Sequence, residues 1–297
     1  MGLKIGFDIG GTKIASAVFS ADGKILSKTK MDMPKEYDSF LGNLVSTIKN
    51  FENEHAGISN IGIVIRGSID REQNCVAVSH YASFLEGKKV ASDLADLVGL
   101  PVRMANDANG AAMAEAHRGA GKGHDVVFYV TVGTGIGGAL IVNGKLIEGR
   151  HGWAGEIGQL PLPFRDERDG PVVDRGQWMP DRIEECLGGP ALARRYEAAT
   201  GKKAEGAQIV ALARQGDKGA IEVVDAYYES FAKAMTVVLH TVDPDIVVIG
   251  GGMSTIAELY DEIPKRLPRY ALSPKVKTPF VPAALGEDSA LFGAYYL

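Results

Sequence analysis

Cysteine is almost missing from this 297-residue chain, where Cys75 and Cys186 are the only two. That count excludes a disulfide framework, and two isolated thiols in a chain without an export signal read as reduced side chains. Long apolar runs are missing too, since none approaches the roughly 18 residues that a membrane-spanning helix needs. The first residues enter a strand-like pattern directly, without the basic, apolar and small-residue regions of a secretory leader. A cytoplasmic protein with no membrane partner is expected. Nor is there an excess of positive charge. A net charge of −5 argues against a surface dedicated to nucleic acid or anionic lipid, and leaves room for a small basic pocket. No segment is of low complexity. What remains, 45% hydrophobic and 23% charged residues, suits an ordinary globular chain long enough for one large domain or two of medium size.

Glycine, by contrast, is abundant and clustered. Ile5 to Leu26, IGFDIGGTKIASAVFSADGKIL, reads as a strand ending at Asp8, a glycine turn, a returning strand and an Asp22-Gly23 hairpin turn. The plan returns at Phe128 to Ile147, FYVTVGTGIGGALIVNGKLI, with Asn143-Gly144 at its second turn. Two strand–glycine turn–strand units indicate a duplicated architecture. Such a turn lets backbone N–H groups approach a phosphate with no Cβ in the way. The pair, one carrying Asp8, suggests jaws on a nucleoside triphosphate. Gly250-Gly251-Gly252, after an apolar strand and before a helix, fits a nucleotide against a helix N-terminus, although a plain strand-to-helix turn would use glycine too. None of these loops is a Walker A or GxGxxG fingerprint, which points away from P-loop and Rossmann enzymes.

Between the two units, apolar spacing predicts helices over 39–51 and 90–98 and strands over 61–65 and 101–104. The second strand empties into Ala105-Asn106-Asp107-Ala108-Asn109, followed by an alanine-rich helix over 110–117. A glycine-rich linker at 119–123 marks a domain boundary. Further on, 149–158 is too rich in glycine for regular structure, and 164–180 reads as an exposed irregular loop. Helices are expected over 191–199, 207–214, 220–240, 256–266 and 289–296, and strands over 245–249 and 276–281. Strands alternating with helices give an α/β class.

FDIGGTKIA, NDAN, GTGIGG, GEIG and DPDIVVIGGG together resemble the bacterial ROK family of sugar kinases and repressors, over essentially the whole chain. The resemblance implies a two-domain actin-like ATPase, or ribonuclease H-like, fold. Residues 1–118 would form an N-terminal α/β domain, rejoined by a C-terminal helix at 288–297. Residues 119–287 would form a larger C-terminal domain across a cleft. It also implies ATP-dependent phosphorylation of the 6-hydroxyl of a hexose or N-acetylhexosamine, with N-acetyl-D-glucosamine favoured and glucose, fructose or N-acetylmannosamine as alternatives. The cofactors would be ATP and Mg²⁺, and the assembly a homodimer.

Residue by residue, the family's catalytic base falls on Asp107, a carboxylate suited to take the proton of an attacking hydroxyl. Capping the alanine helix is the plainer use of such an Asp. Asp8 would orient Mg²⁺ through water. Gly10, Gly11, Thr12, Lys13, Gly133, Thr134, Gly135, Gly137, Gly251 and Gly252 would contact the nucleotide. Gly67, Ser79, His80, Asn106, Glu156, Gln159 and Glu184 would join Asp107 around the sugar. Departures are plain. The family has a His where this chain has Gln159, followed by a cysteine run that binds zinc, yet 165–182 holds no cysteine. No zinc site is expected. Arg66 replaces the family's Pro, and His80 its Asn; if both face the sugar they select a substituent. A non-catalytic sugar sensor is the rival reading, against which Asp8, Asp107 and both phosphate loops are intact and no DNA-binding segment precedes Ile5.

Overall fold

Residue alternation along the first strands fixes which side of the sheet each side chain takes. In the computed structural model, which describes residues 2–79, 81–171 and 181–297, β1 (Leu3–Ile9) pairs antiparallel with β2 (Lys13–Phe19), and β2 with β3 (Ile25–Asp32). Helix α1 (Tyr37–Glu54) then returns the chain to β4 (Ile58–Ile65), parallel to β1. A small hairpin, β5 (Ser68–Asp70) and β6 (Cys75–Val78), leads to α2 (Val90–Val98), β7 (Val102–Asn106) and α3 (Asp107–Arg118). The sheet order is β3-β2-β1-β4-β7. Ile5, Phe7 and Ile9 share one face with Ile61, Ile63 and Ile65, and bury Phe40, Leu44 and Ile48 of α1 and Val90 and Leu94 of α2 against it.

The other face carries glycine where helices come close. A side chain at Gly62 of β4 would run into the backbone carbonyl of Ala294 in the C-terminal helix, and one at Gly110 of α3 into Val64. This first unit comprises residues 1–119, 144–154 and 285–297.

The second unit, residues 120–143 and 155–284, repeats the hairpin. β8 (Val126–Val132) pairs antiparallel with β9 (Ile136–Val142) through a turn at 133–135. The three-residue strand β10 (Lys145–Ile147) falls in the segment grouped with the first unit. The helices are α4 (Ile183–Leu187), α5 (Gly189–Thr200), α6 (Gly206–Arg214) and the 24-residue α7 (Lys218–Thr241). β11 (Ile246–Gly250), α8 (Leu259–Arg266) and β12 (Phe280–Pro282) follow, with β11 parallel to both β8 and β12. The core of this unit gathers Val130, Ile249, Tyr196, Tyr227 and Phe231, all at most 2% exposed. The terminal helix α9 (Ser289–Tyr296) belongs to the first unit.

Several expectations change. The alanine-rich helix begins at Asp107, three residues earlier than expected, because Asn106 caps it. The strand expected over 276–281 shrinks to Phe280–Pro282. Pro279 has no N–H for a ladder and only accepts, from Val247, at 2.9 Å. The helix expected over 256–266 is α8, which starts only at Leu259, after a 3₁₀ turn at Gly252–Thr255. Finally, the described part of the loop expected at 164–180 is not a free loop. It holds a 3₁₀ turn, Glu167–Asp169, closed by a capping box from Asp166, and Asp169 is 3% exposed.

Candidate active site

Three parallel strands of the first unit, β1, β4 and β7, end at the same sheet edge. Ile65 is in register with Ile9 on one side and with Asn106 on the other. The residues at or just past those ends, Asp8, Arg66 and Asp107, are therefore neighbours across adjacent strands.

Asn106 decides what Asp107 can do. Its Oδ1 accepts from the Asn109 N–H at 2.7 Å, which makes Asn106 the helix cap and leaves Asp107 as the first helical residue. The capping role that competed for Asp107 is thus taken by its neighbour. The Asp107 carboxylate accepts from the N–H of Ala108 at 3.1 Å. The residue keeps exposed surface, yet protein packed around the carboxylate desolvates it and raises its pKa. The Ala108 N–H and then the Arg66 guanidinium oppose that rise. Asp8 follows the same logic. Burial raises its pKa, Arg66 lowers it, and the charge of Asp107 raises it again.

The first glycine turn closes with the Gly10 N–H donating to the Lys13 carbonyl at 3.0 Å, and Thr12 and Lys13 are exposed. Tyr81 lies against Gly11, and the Arg66 guanidinium sits 6.0 Å from the centre of the Tyr81 ring. Neither contact was foreseeable from the spacing of Tyr81. Ser79 is buried; its N–H donates to Glu86 at 2.9 Å and its hydroxyl to the Arg66 carbonyl at 3.4 Å, so it braces the Arg66-Gly67 turn. His80 lies outside the described residues.

In the second unit, the Gly133 N–H donates to Gly135 at 3.0 Å, and the Gly133 carbonyl accepts from Gly189 at 2.7 Å. Thr134 is exposed at the tip, whereas Gly137 lies inside β9 opposite Thr131. Gly251 backs onto this turn. Its φ is +80° and ψ 178°, and a Cβ there would come within 2.5 Å of the Val132 carbonyl oxygen. The two glycine loops of this unit, expected from sequence as separate nucleotide contacts, are in contact with one another. Gly252 is exposed beside them.

The GEIG stretch packs on β9, where a side chain at Gly138 would strike the Gly155 carbonyl. Half-buried Glu156 heads the 3₁₀ turn Ile157–Gln159. The Gln159 Oε1 accepts from Arg182 at 2.5 Å, and the Glu184 Oε2 accepts from the Ile136 N–H at 3.1 Å, just past the glycine turn. Glu184 thus reaches the phosphate-type loop. Arg182 was missed at the sequence level because nothing local marks it.

The described residues around Gln159 form no zinc donor set. Gln159 offers an amide oxygen already engaged by Arg182, and burial raises the pKa of the Cys186 thiol. Among the described residues, no three His, Cys, Asp or Glu are grouped to hold a metal ion. For Mg²⁺ the fit is better, since Asp8 presents a hard carboxylate oxygen at the sheet edge beside the glycine turn.

The ROK family model matches residues 4–297, and the chain belongs to the ROK family. It is 32% identical to the N-acetyl-D-glucosamine kinase of Escherichia coli O1:K1 / APEC and 31% identical to that of Vibrio atlanticus (strain LGP32), over 98% of each chain in both cases. Among solved structures, it matches the ROK hexokinase of Thermus thermophilus with a TM-score of 0.86 at 29% identity, covering 98% of this chain and 96% of that one. It matches a ROK glucokinase from Streptomyces griseus, bound to glucose and AMPPNP, with a TM-score of 0.72 at 31% identity, over 99% and 98% of the two chains. The fold is the actin-like ATPase fold of these sugar kinases.

Proposed function

We propose that this chain is an ATP-dependent sugar kinase that phosphorylates the 6-hydroxyl of N-acetyl-D-glucosamine. The observation that carries this reading is the sheet edge where Asp8, Arg66 and Asp107 adjoin, with Asn106 taking the cap and freeing Asp107. The relatives named as N-acetyl-D-glucosamine kinases support the choice of sugar.

Asp107 accepts the proton of the sugar hydroxyl as its oxygen forms a bond to the γ-phosphorus. The bond from that phosphorus to the β,γ-bridging oxygen breaks, and ADP leaves. The Ala108 N–H and then Arg66 oppose the rise that burial imposes on the pKa of Asp107, and so favour the ionised form of the base. Gly10, Gly11, Thr12 and Lys13 of one turn and Gly133, Thr134, Gly135, Gly251 and Gly252 of the others offer backbone N–H groups, a hydroxyl or a cation to phosphate oxygens. Asp8 would hold Mg²⁺, and the ion would supply neutralisation of the phosphate charge. Asn106, Gly67, Glu156, Gln159 and Glu184 bind the sugar. A homodimer in the cytoplasm is part of this reading.

One observation favours a second sugar. The glucokinase relative is 31% identical over the same extent, so glucose is the leading alternative. Release of ADP from Mg-ATP across N-acetylglucosamine, glucose, fructose and N-acetylmannosamine decides. Fast turnover with N-acetylglucosamine is expected. Turnover with glucose alone would keep the mechanism and reassign the sugar. Sugar binding without turnover on any of them would overturn the kinase reading in favour of a sensor.

A further inference from the structure

A lysine is buried in the middle of α7. Lys233 is 1% exposed, between Phe231, Ala232, Ala234 and Met235 of the core. A buried ammonium is tolerated only when paired and hydrogen-bonded. Its Nζ donates to Asp169 at 2.8 Å and to Asp166 at 2.9 Å, and Ser230, one helical turn earlier, donates to the other oxygen of Asp169 at 2.5 Å. The Asp166 N–H donates back to Asp169 at 2.7 Å. The short turn at 166–169 is thereby locked to α7 by charge.

From that anchor the contacts run on toward the sugar residues. The Arg165 guanidinium, next to the turn, donates to the Gly170 carbonyl at 2.6 Å and pairs with Asp181 at 3.2 Å. The Asp181 carbonyl accepts from Leu162 at 2.9 Å, and Ile183 donates to Leu160 at 2.8 Å. Between them Arg182 holds Gln159, and the next residue but one is Glu184.

We propose that Lys233 is a positioning residue that, through the 166–169 turn, Arg165 and Asp181, holds Gln159 and Glu184 in place for the sugar. The inference rests on the reading that those two residues bind sugar. Among the described residues no three His, Cys, Asp or Glu are grouped to hold a metal, and an ion pair ties the 166–169 turn to α7.

The test compares Lys233→Met with the double variant Lys233→Met/Asp169→Leu, using N-acetylglucosamine binding by calorimetry without nucleotide and steady-state kinetics. Removing Lys233 alone leaves the buried Asp169 carboxylate without its counter-charge, so the single variant loses thermal stability. Removing both charges restores the melting temperature to within a few degrees. The sugar dissociation constant and KM stay raised by at least ten-fold in the double variant, while kcat at saturating sugar and the KM for ATP stay within two-fold. Lys233→Arg recovers part of the sugar affinity, and dialysis of the wild-type protein against a chelator leaves it unchanged.

Wild-type sugar affinity in the double variant would overturn the proposal, as would loss of sugar affinity on chelation. Gln159→Leu and Glu184→Gln are measured alongside. If both raise the sugar KM while the double variant does not, the positioning role alone fails. If neither does, the sugar-site reading fails and takes the proposal with it.

Discussion

Replacing Gly251 by alanine tests the nucleotide side of the site in one atom. Gly251 has φ +80° and ψ 178°, a region that is essentially glycine-only, where a side chain costs about 1–3 kcal/mol. The added Cβ would also lie 2.5, 2.7 and 2.8 Å from three backbone atoms of Val132, all below the 3.0 Å that real Cβ contacts keep. Clearing the closest moves backbone by about half an ångström, and Val132 leads straight into the Gly133–Gly135 turn. Because a misplacement of about 1 Å costs on the order of 10²-fold, we expect the KM for ATP to rise roughly ten-fold or more. At about 2–4 °C per kcal/mol for a unit of this size, the melting temperature should fall by about 2–12 °C. Kinetics with ATP varied at saturating sugar, beside calorimetric sugar binding, reads both sides, and sugar affinity should not change. Gly252→Ala is the control, since a Cβ there meets nothing within 4 Å and should cost no stability. A folded Gly251→Ala protein with a wild-type KM for ATP would refute the reasoning.

Other outcomes follow from the same sheet edge. Asn106→Ala removes the cap of α3 and should cost about 1 kcal/mol, within a range of roughly 0.5–2, read as a lower melting temperature. Asn106→Ser keeps a capping oxygen, so stability should recover while the sugar KM stays raised; a wild-type sugar KM would remove Asn106 from the sugar site. Arg66→Met removes the cation that lowers the Asp107 pKa against its burial. That pKa then rises, the ionised base is lost at a higher pH, and the acid limb of kcat/KM moves upward. Arg66→Lys should bring the limb part of the way back, and an unmoved limb in Arg66→Met would sink the charge-balance argument.

Much of the fold was legible because its signals are local. Both strand–glycine turn–strand units, α2 over Val90–Val98 and α9 over Ser289–Tyr296 follow from two- and near-four-residue periodicities bounded by glycine or polar residues. The start of α3 was not, because Asn106 and Asp107 are adjacent and both suit a cap; only the bond from Asn109 decides. The length of β12 depends on where β11 offers a partner, which no window around Val276 contains. The anchoring of 166–170 needed Lys233, more than sixty residues away in sequence. A lysine flanked on both sides by apolar residues in a long helix was the one available hint. Likewise, motif spacing assigns Glu184 to the sugar, but its bond to the Ile136 N–H is a tertiary fact that no spacing contains.

The measurement that bears most directly on the account is ADP release from Mg-ATP and N-acetylglucosamine by Asp107→Asn beside the wild-type protein, with sugar binding followed by calorimetry. Loss of a general base is worth about 10²–10⁴-fold, so kcat should fall by that much while the sugar dissociation constant stays within a few-fold. Turnover undiminished in Asp107→Asn would contradict the assignment of the base and the mechanism built on it.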